Sequence, residues 1–425
     1  MNNLEKIKND HGNGFVNIAV NNNIESKKNI AIKDIHSTTN FPTTVCSKIL
    51  ETYQAPFNST VVENLLKNNF NIIGTTNMDE FAMGSTTRTS IYGPTDNAYD
   101  VDKIPGGSSG GSAYVVGKGL VDYATGTDTG GSVRQPAAYN GIYGMKPTYG
   151  LISRYGTVSF ASSFDTIGPM TKTLEQNIEL LNCLISNDEK DQTNFVPENF
   201  DLKKSFNEKI SGMKIGLMVD WLNEIDGEIK TAILTQVEKL KKLGAEIIEI
   251  KIPSTKYSFE LYMVLAYSEA SSNLARYDGF RYGYYHENNT YKKTRTLFGE
   301  EVKKRLIIGS YFLSSENALK YFDKALKLRK KMENDFLEKF NEVSVIIGPT
   351  TPNLPFNKNE NMNSKENYLS DEFVIPANLV GFPALNIPIG LTKNNLPIGM
   401  QIMSWKYNEH LIYQVANNLK GDNNE

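Results

Sequence analysis

Apolar positions along this chain alternate between two patterns. Short unbroken runs, NIAIKD at 29–34, FNIIGTTN at 70–77, MKIGLMVDW at 213–221, AEIIEIKIP at 245–253 and VSVIIGPTTP at 343–352, predict buried strands. Between them, TVVENLLKNN at 60–69 and EIKTAILTQVEKLKKLG at 228–244 carry apolar residues at helical spacing, the second closed by a glycine stop. The stretch 213–253 is therefore one strand–helix–strand unit. Long helical patterns fill roughly 256–340, and a last helix starts near 407. Strands alternating with helices predict an α/β fold, a sheet with helices on both faces. The polar segment 186–212 is the best candidate for a linker, and an Asn- and Lys-rich loop follows at 356–367. Residues 1–28 are polar and hard to place, and the chain has no internal repeat.

Composition narrows the function classes. With 425 residues, 40% hydrophobic and 22% charged, the chain can bury a large core. A net charge of −3 argues against a surface that grips nucleic acid by its own charge, while leaving RNA contact through a partner open. Cys46 and Cys183 match no metal or redox spacing and are expected as reduced, buried thiols. No apolar run approaches the ~20 residues that span a bilayer. MNNLEKIKNDHGNGFVN has no signal-type apolar segment, so the expected location is the cytoplasm.

Candidate chemistry concentrates between 105 and 150, where Gly and Ser are dense and interrupted by AYVVGKGL and DYATG. GGSSGGS at 106–112 contains G-x-S-x-G around both Ser108 and Ser109, the pattern of a nucleophile elbow. A Ser-His-acid triad in that order needs a histidine downstream, and of His11, His36, His286 and His410 only the last two qualify. His410 falls in an ordinary surface helix pattern. The G-K-[ST] ending of a phosphate loop is missing. Lysine can replace histidine when burial lowers its pKa. Lys33, at the end of an apolar strand, is placed for that, although on the residues alone a lysine that reaches the surface or pairs with Asp34 is the stronger reading.

At GGSSGGS followed by GTDTGGSVRQPAA the sequence resembles the amidase signature family, and Ser132 lies 24 positions after Ser108, the family's separation between bridging serine and nucleophile. The resemblance implies Ser132 as nucleophile, Ser108 as proton relay and Lys33 as neutral base. Thr129, Gly130 and Gly131 would offer backbone N–H groups as an oxyanion hole. Asp128 and Arg134 would form a buried pair supporting the loop, and Ser109, with Ser112, reads as scaffolding. The implied fold is a single large α/β domain with a mixed, mostly parallel central sheet covered by helices on both faces. Along the chain it comprises a divergent segment (1–28), the signature core (29–185), the linker (186–212) and the remainder of the same domain (213–425).

A narrower resemblance, to the A subunits of glutamyl-tRNA(Gln) amidotransferases, runs from about residue 29 to 415. It rests on TTNMDEFAMGS, KPTYGLISRYG, SSFDTIGPM, SEASSNLARYDGFRYG, FGEEVKKRLIIG and PIGMQI. It implies a glutaminase that splits glutamine into glutamate and ammonia. The ammonia would go to a B subunit that uses ATP and Mg²⁺ to convert Glu-tRNA(Gln) into Gln-tRNA(Gln), with a small C subunit helping assembly. No cofactor or metal is expected on this chain itself. Arg305 would hold the α-carboxylate of glutamine, Asp371 its α-amino group, and Tyr262 would line the pocket. Arg305 also reads as a solvated residue on a charged helix face, and Asp371 as a helix N-cap. A stand-alone amidase acting on another small amide, and a non-catalytic scaffold of the same fold, remain as alternatives.

Overall fold

The computed structural model describes residues 3–19, 28–223, 225–285, 287–288, 290–360 and 370–420. His286 and the part of the Asn- and Lys-rich loop from 361 onward lie outside the described residues. The strands are β1 (Phe15–Ile18), β2 (Lys28–Lys33), β3 (Phe70–Thr76), β4 (Tyr123–Asp128), β5 (Tyr143–Lys146) and β6 (Thr166–Thr171), followed by β7 (Lys214–Met218), β8 (Glu246–Ile250), β9 (Val345–Pro349), β10 (Ala384–Leu391) and β11 (Pro397–Met403). They form one 11-stranded sheet in the order β1-β3-β2-β4-β6-β5-β10-β11-β9-β7-β8.

The sheet is mixed and its helices pack on both faces. Parallel pairing lies in two blocks, β3-β2-β4 and β9-β7-β8. The strands that join the blocks, and the edge strand β1, pair antiparallel. The expected strand–helix–strand unit is β7, the helix Gly227–Lys242 and β8, paired in parallel. Asp226 caps that helix by accepting from the Glu228 and Ile229 N–H groups. Part of the N-terminal segment left unplaced by sequence belongs to the sheet as β1, bonded to β3 at Gly74–Thr76. The segment 186–212 contains no helix or strand, yet it buries Leu202 and Ile210. It runs between β6 and β7 of the same sheet.

Alternation along β2 decides where its lysine goes. Ile30 and Ile32 enter the apolar layer built with the helices Leu174–Leu184, Gly227–Lys242 and Glu409–Lys420. Ala31 packs on the other face with the helix Gly110–Gly117, and side chains two apart share a face. Lys33 therefore emerges on the side of Gly110–Gly117, at the C-terminal end of β2. Because β2, β3 and β4 are parallel, the loops leaving all three strands meet at that edge.

Candidate active site

Lys33 is fully buried, and its Nζ lies 2.7 Å from Ser108 Oγ, 2.8 Å from Thr127 Oγ1 and 2.9 Å from Ser109 Oγ. It makes no ion pair with Asp34. That carboxylate turns instead to the Thr44 hydroxyl and the Thr44 and Cys46 N–H groups, and burial raises its pKa to about 7. Desolvation lowers the Lys33 pKa from 10.5 to about 7, against the pull of Asp79, Asp128 and Asp165. The lysine thus sits among hydroxyls with carboxylates at a distance. Its backbone is pinned as well, the Lys33 N–H donating to Thr125 Oγ1 at 3.1 Å. Thr125 and Thr127 are two apart on β4 and both face Lys33.

Ser108 and Ser109 precede the helix Gly110–Gly117, and the Gly107–Ser108 peptide is cis. Beneath this loop, the buried Asp79 accepts from the Thr86 and Thr87 N–H groups, while the Asp79 N–H donates to the Ser108 carbonyl at 3.3 Å. A Cβ on Gly107 would fall 2.2 Å from Asp79 Oδ2, so only glycine lets the loop lie this close. Ser109 also donates to the Thr127 carbonyl, and Ser112 donates to the Thr125 carbonyl, tying the helix to β4.

The loop that carries Ser132, Thr129–Val133, the expected nucleophile loop, links β4 to the short helix Arg134–Tyr139. Ser132 is half-buried, whereas Lys33 and Ser108 are fully enclosed. Of the three, Ser132 is the one open to an arriving substrate. Its carbonyl accepts the Ser109 N–H at 3.3 Å, which joins the two serine loops. Asp128 and Arg134, both fully buried, meet through two contacts of 3.0 Å. Asp128 also accepts from the N–H groups of Gly131, Val133 and Arg134 and from the Asn378 side chain. Arg134 reaches Asn378 and Gln401. Arginine and these donors hold the Asp128 carboxyl down to about 2 despite burial.

One expectation is corrected here. The Gly131 N–H donates to Asp128 Oδ1 at 2.8 Å, so it is committed to the loop and is not a free oxyanion donor. Gly131 is required for backbone reasons, since its φ is +115° and a Cβ would meet Val374 Cγ2 at 2.1 Å. Gly130 is required because a Cβ there would press on the Tyr262 ring at 2.8 Å.

That ring opens onto the pocket. Tyr262, from the helix Ser258–Asn273, is buried, and so is Arg305, from the helix Glu300–Leu313 packed against it. The guanidinium of Arg305 pairs with Glu301 at 2.9 Å and lies over the rings of Tyr267 and Phe160. Asp371 lies in the turn before the helix Ile375–Val380. Its side chain does not cap that helix, because the Val374 and Ile375 N–H groups donate to the Asp371 backbone carbonyl instead. Ser85 lies close enough to favour the charged carboxylate, and Oδ1 is buried with no hydrogen-bond partner among the described residues. Burial raises the Asp371 pKa well above the usual range, and Arg305 pulls it back. Both charges act on Tyr262, so the three side chains lie in one neighbourhood.

Among the residues around Lys33 and the nucleophile loop, sequence reasoning missed Thr127 and Asp165, which accepts the Thr129 hydroxyl at 2.7 Å. The period-two spacing of Thr125 and Thr127 in a predicted strand was the available signal for Thr127. His36 is buried against Thr157, and desolvation lowers its pKa to about 3.

A family model described as Amidase matches residues 29–413. The A subunit of glutamyl-tRNA(Gln) amidotransferase from Persephonella marina is 47% identical over 395 residues, 91% of this chain and 81% of the relative. Its counterpart from Streptococcus uberis is 45% identical over 403 residues, 93% of this chain and 82% of the relative. The crystal structure of the corresponding A subunit from Thermotoga maritima superposes with a TM-score of 0.87 at 38% identity, covering 99% of this chain and 90% of that one. With a match that spans the lysine strand, both serine loops and the pocket helices, the chain belongs to the amidase family.

Proposed function

We propose that this chain is the glutaminase subunit of a tRNA-dependent glutamyl-tRNA(Gln) amidotransferase. The observation that carries the reading lies beside the Ser132 loop: a buried arginine and a buried carboxylate oxygen, without a hydrogen-bond partner among the described residues, both act on the tyrosine that packs on Gly130. A free amino acid has complementary groups: its α-carboxylate suits Arg305 and its α-ammonium suits Asp371. Its relatives, named as the A subunit of this amidotransferase, support the same choice of substrate.

The chemistry follows from the Lys33 environment. A neutral amine has two N–H bonds and one lone pair. Donation to Thr127 and Ser109 leaves the lone pair for the Ser108 hydroxyl. Ser108 then accepts the Ser132 proton as Ser132 Oγ attacks the side-chain carboxamide of glutamine. The oxyanion takes donors from the N–H groups of Thr129, Gly130 and Ser132. When the tetrahedral intermediate collapses, the proton returns through Ser108 to the leaving nitrogen. Ammonia departs, and a γ-glutamyl ester remains on Ser132. Water, deprotonated by the same relay, releases glutamate.

In this reading the ammonia passes to a B subunit, where ATP and Mg²⁺ serve the conversion of Glu-tRNA(Gln) to Gln-tRNA(Gln). A small C subunit joins the complex, and the setting is the cytoplasm. No helix among the described residues is long and apolar enough to cross a membrane.

The test is ammonia release from glutamine by the co-purified complex, with and without Glu-tRNA and ATP, alongside Ser132→Ala. Release stimulated by tRNA and ATP and abolished by the substitution is expected. Equal release by the chain alone, indifferent to tRNA, would make it a free-standing amidase. Glutamine binding without any release would make it a scaffold.

A further inference from the structure

Asp165 takes no part in the proton relay, yet its carboxylate touches both walls of the site. Oδ1 accepts the Thr129 hydroxyl at 2.7 Å and the Ala161 N–H at 3.1 Å, and Oδ2 accepts the Phe160 N–H at 2.9 Å. Thr129 immediately precedes Gly130 in the nucleophile loop. Phe160 lies beneath the Arg305 guanidinium, 5.7 Å from its ring centroid, and meets the Tyr262 ring edge-on at 6.5 Å. Tyr262 in turn closes over Gly130. Asp165, Thr129, Gly130, Tyr262 and Phe160 thus form a closed circuit of contacts. One side of the circuit carries the nucleophile loop, and the other carries the wall behind Arg305.

Glutamine spans both sides. Its α-carboxylate is anchored at one end while its carboxamide must reach Ser132 at the other, so the separation between the two walls sets whether the reacting atoms line up. A misplacement of about 1 Å costs on the order of 100-fold in rate. Burial raises the Asp165 pKa to about 6, while its three donors and Arg154 oppose the rise. The group is mainly a carboxylate above that pH, with acceptors for all three donors.

We propose that Asp165 is a positioning residue that fixes the distance between the nucleophile loop and the Arg305 wall, so that glutamine held by its α-carboxylate presents its amide to Ser132. The proposal rests on the glutaminase reading above. Asp165→Asn keeps the shape but loses one acceptor and puts an N–H₂ against an N–H or O–H donor.

The test is a double-mutant cycle on glutamine hydrolysis by the full chain in its complex, using Asp165→Asn and Arg305→Gln. Asp165→Asn alone is expected to lower kcat/KM by about 100-fold. Once Arg305 no longer anchors the substrate there is no register left to spoil, and the same change is expected to cost no more than about twofold. A full loss in both backgrounds would mean that Asp165 acts independently of the anchor, and would overturn the proposal. No loss in the wild-type background would overturn it too. Thr129→Val cuts a single link of the circuit and is expected to show the same dependence on Arg305. It decides the matter if Asp165→Asn does not fold, additivity counting against the proposal. A wild-type complex that binds glutamine but releases no ammonia would instead refute the glutaminase reading itself.

Discussion

At the scale of single residues, the proposed chemistry depends on a lysine that gives up its charge and on a carboxylate and an arginine that meet a charged amino acid. Lys33 must be neutral to act as a base. With its pKa lowered to about 7, the ammonium forms as pH falls through that value and the lone pair is lost. Glutamine kcat/KM is expected to rise through about pH 7 to a plateau, as a pH–rate profile would show. Stability follows the same group. An unfolded lysine titrates near 10.5, so between about 7 and 10.5 the unfolded chain binds the extra proton and this group's contribution rises with pH. Lys33→Ala is expected to cost about 10²–10⁴ in kcat. The pocket answers differently. Burial favours a neutral Asp371, so the arriving α-ammonium is what would hold it charged. Asp371→Asn keeps the shape but cannot take that charge, and charge-assisted hydrogen bonds contribute about 1.5–3 kcal/mol. Its KM for glutamine is expected to rise on the order of 10- to 100-fold, with kcat changing less, in steady-state kinetics.

At the scale of elements, the nucleophile loop is shaped by a buried ion pair as much as by its own glycines. Asp128 gathers the N–H groups of Gly131 and Val133 in the loop and of Arg134 at the start of the helix, and Arg134 and Asn378 hold Asp128. Arg134→Ala would strand that carboxylate in the core. Loss of one partner from a buried pair typically costs about 3–5 kcal/mol. Chemical denaturation is expected to report a loss of that size, together with lost activity, since Gly131 and Ser132 lose their frame. The pairing was legible in the sequence because both residues flank the signature serine. The use made of it was not, since only three-dimensional geometry shows Asp128 claiming the Gly131 N–H. The strands β2, β3, β7, β8 and β9 were legible as unbroken apolar runs. AYVVGKGL stayed ambiguous for a physical reason: from Gly110 to Val116 the helix Gly110–Gly117 is buried on every side, so it shows no polar stripe to betray its period. β1 is short and half-buried, and it is defined by a partner more than fifty residues away, so local pattern could not find it.

At the scale of the whole molecule, the sheet joins two stretches of sequence with different duties. Residues up to β6 carry Lys33, Ser108 and Ser132, while Tyr262, Arg305 and Asp371 come from the later helices and the turn that follows β9. The family motif made the first set legible. The second rested on matched positions alone, because a charged pattern such as EEVKKR looks the same whether its arginine is solvated or buried. Asp165, within the matched SSFDTIGPM, was visible as a residue and invisible as a link: Phe160 is a local partner five residues away, but Thr129 reaches it only once β4 and β6 have paired.

The strand order has a consequence for how the protein comes into being. Among the described strands β10 and β11 come latest in sequence, yet they lie inside the sheet, between β5 and β9. The same late stretch supplies Asn378 and Gln401 to Arg134. During synthesis on the ribosome, Lys33, Ser108 and Ser132 leave the exit tunnel long before these supports do. A growing chain therefore holds the parts of its active site without the frame that makes them competent. A chain still short of β10 and β11 is expected to hold glutamine chemistry in reserve until those strands have joined the sheet.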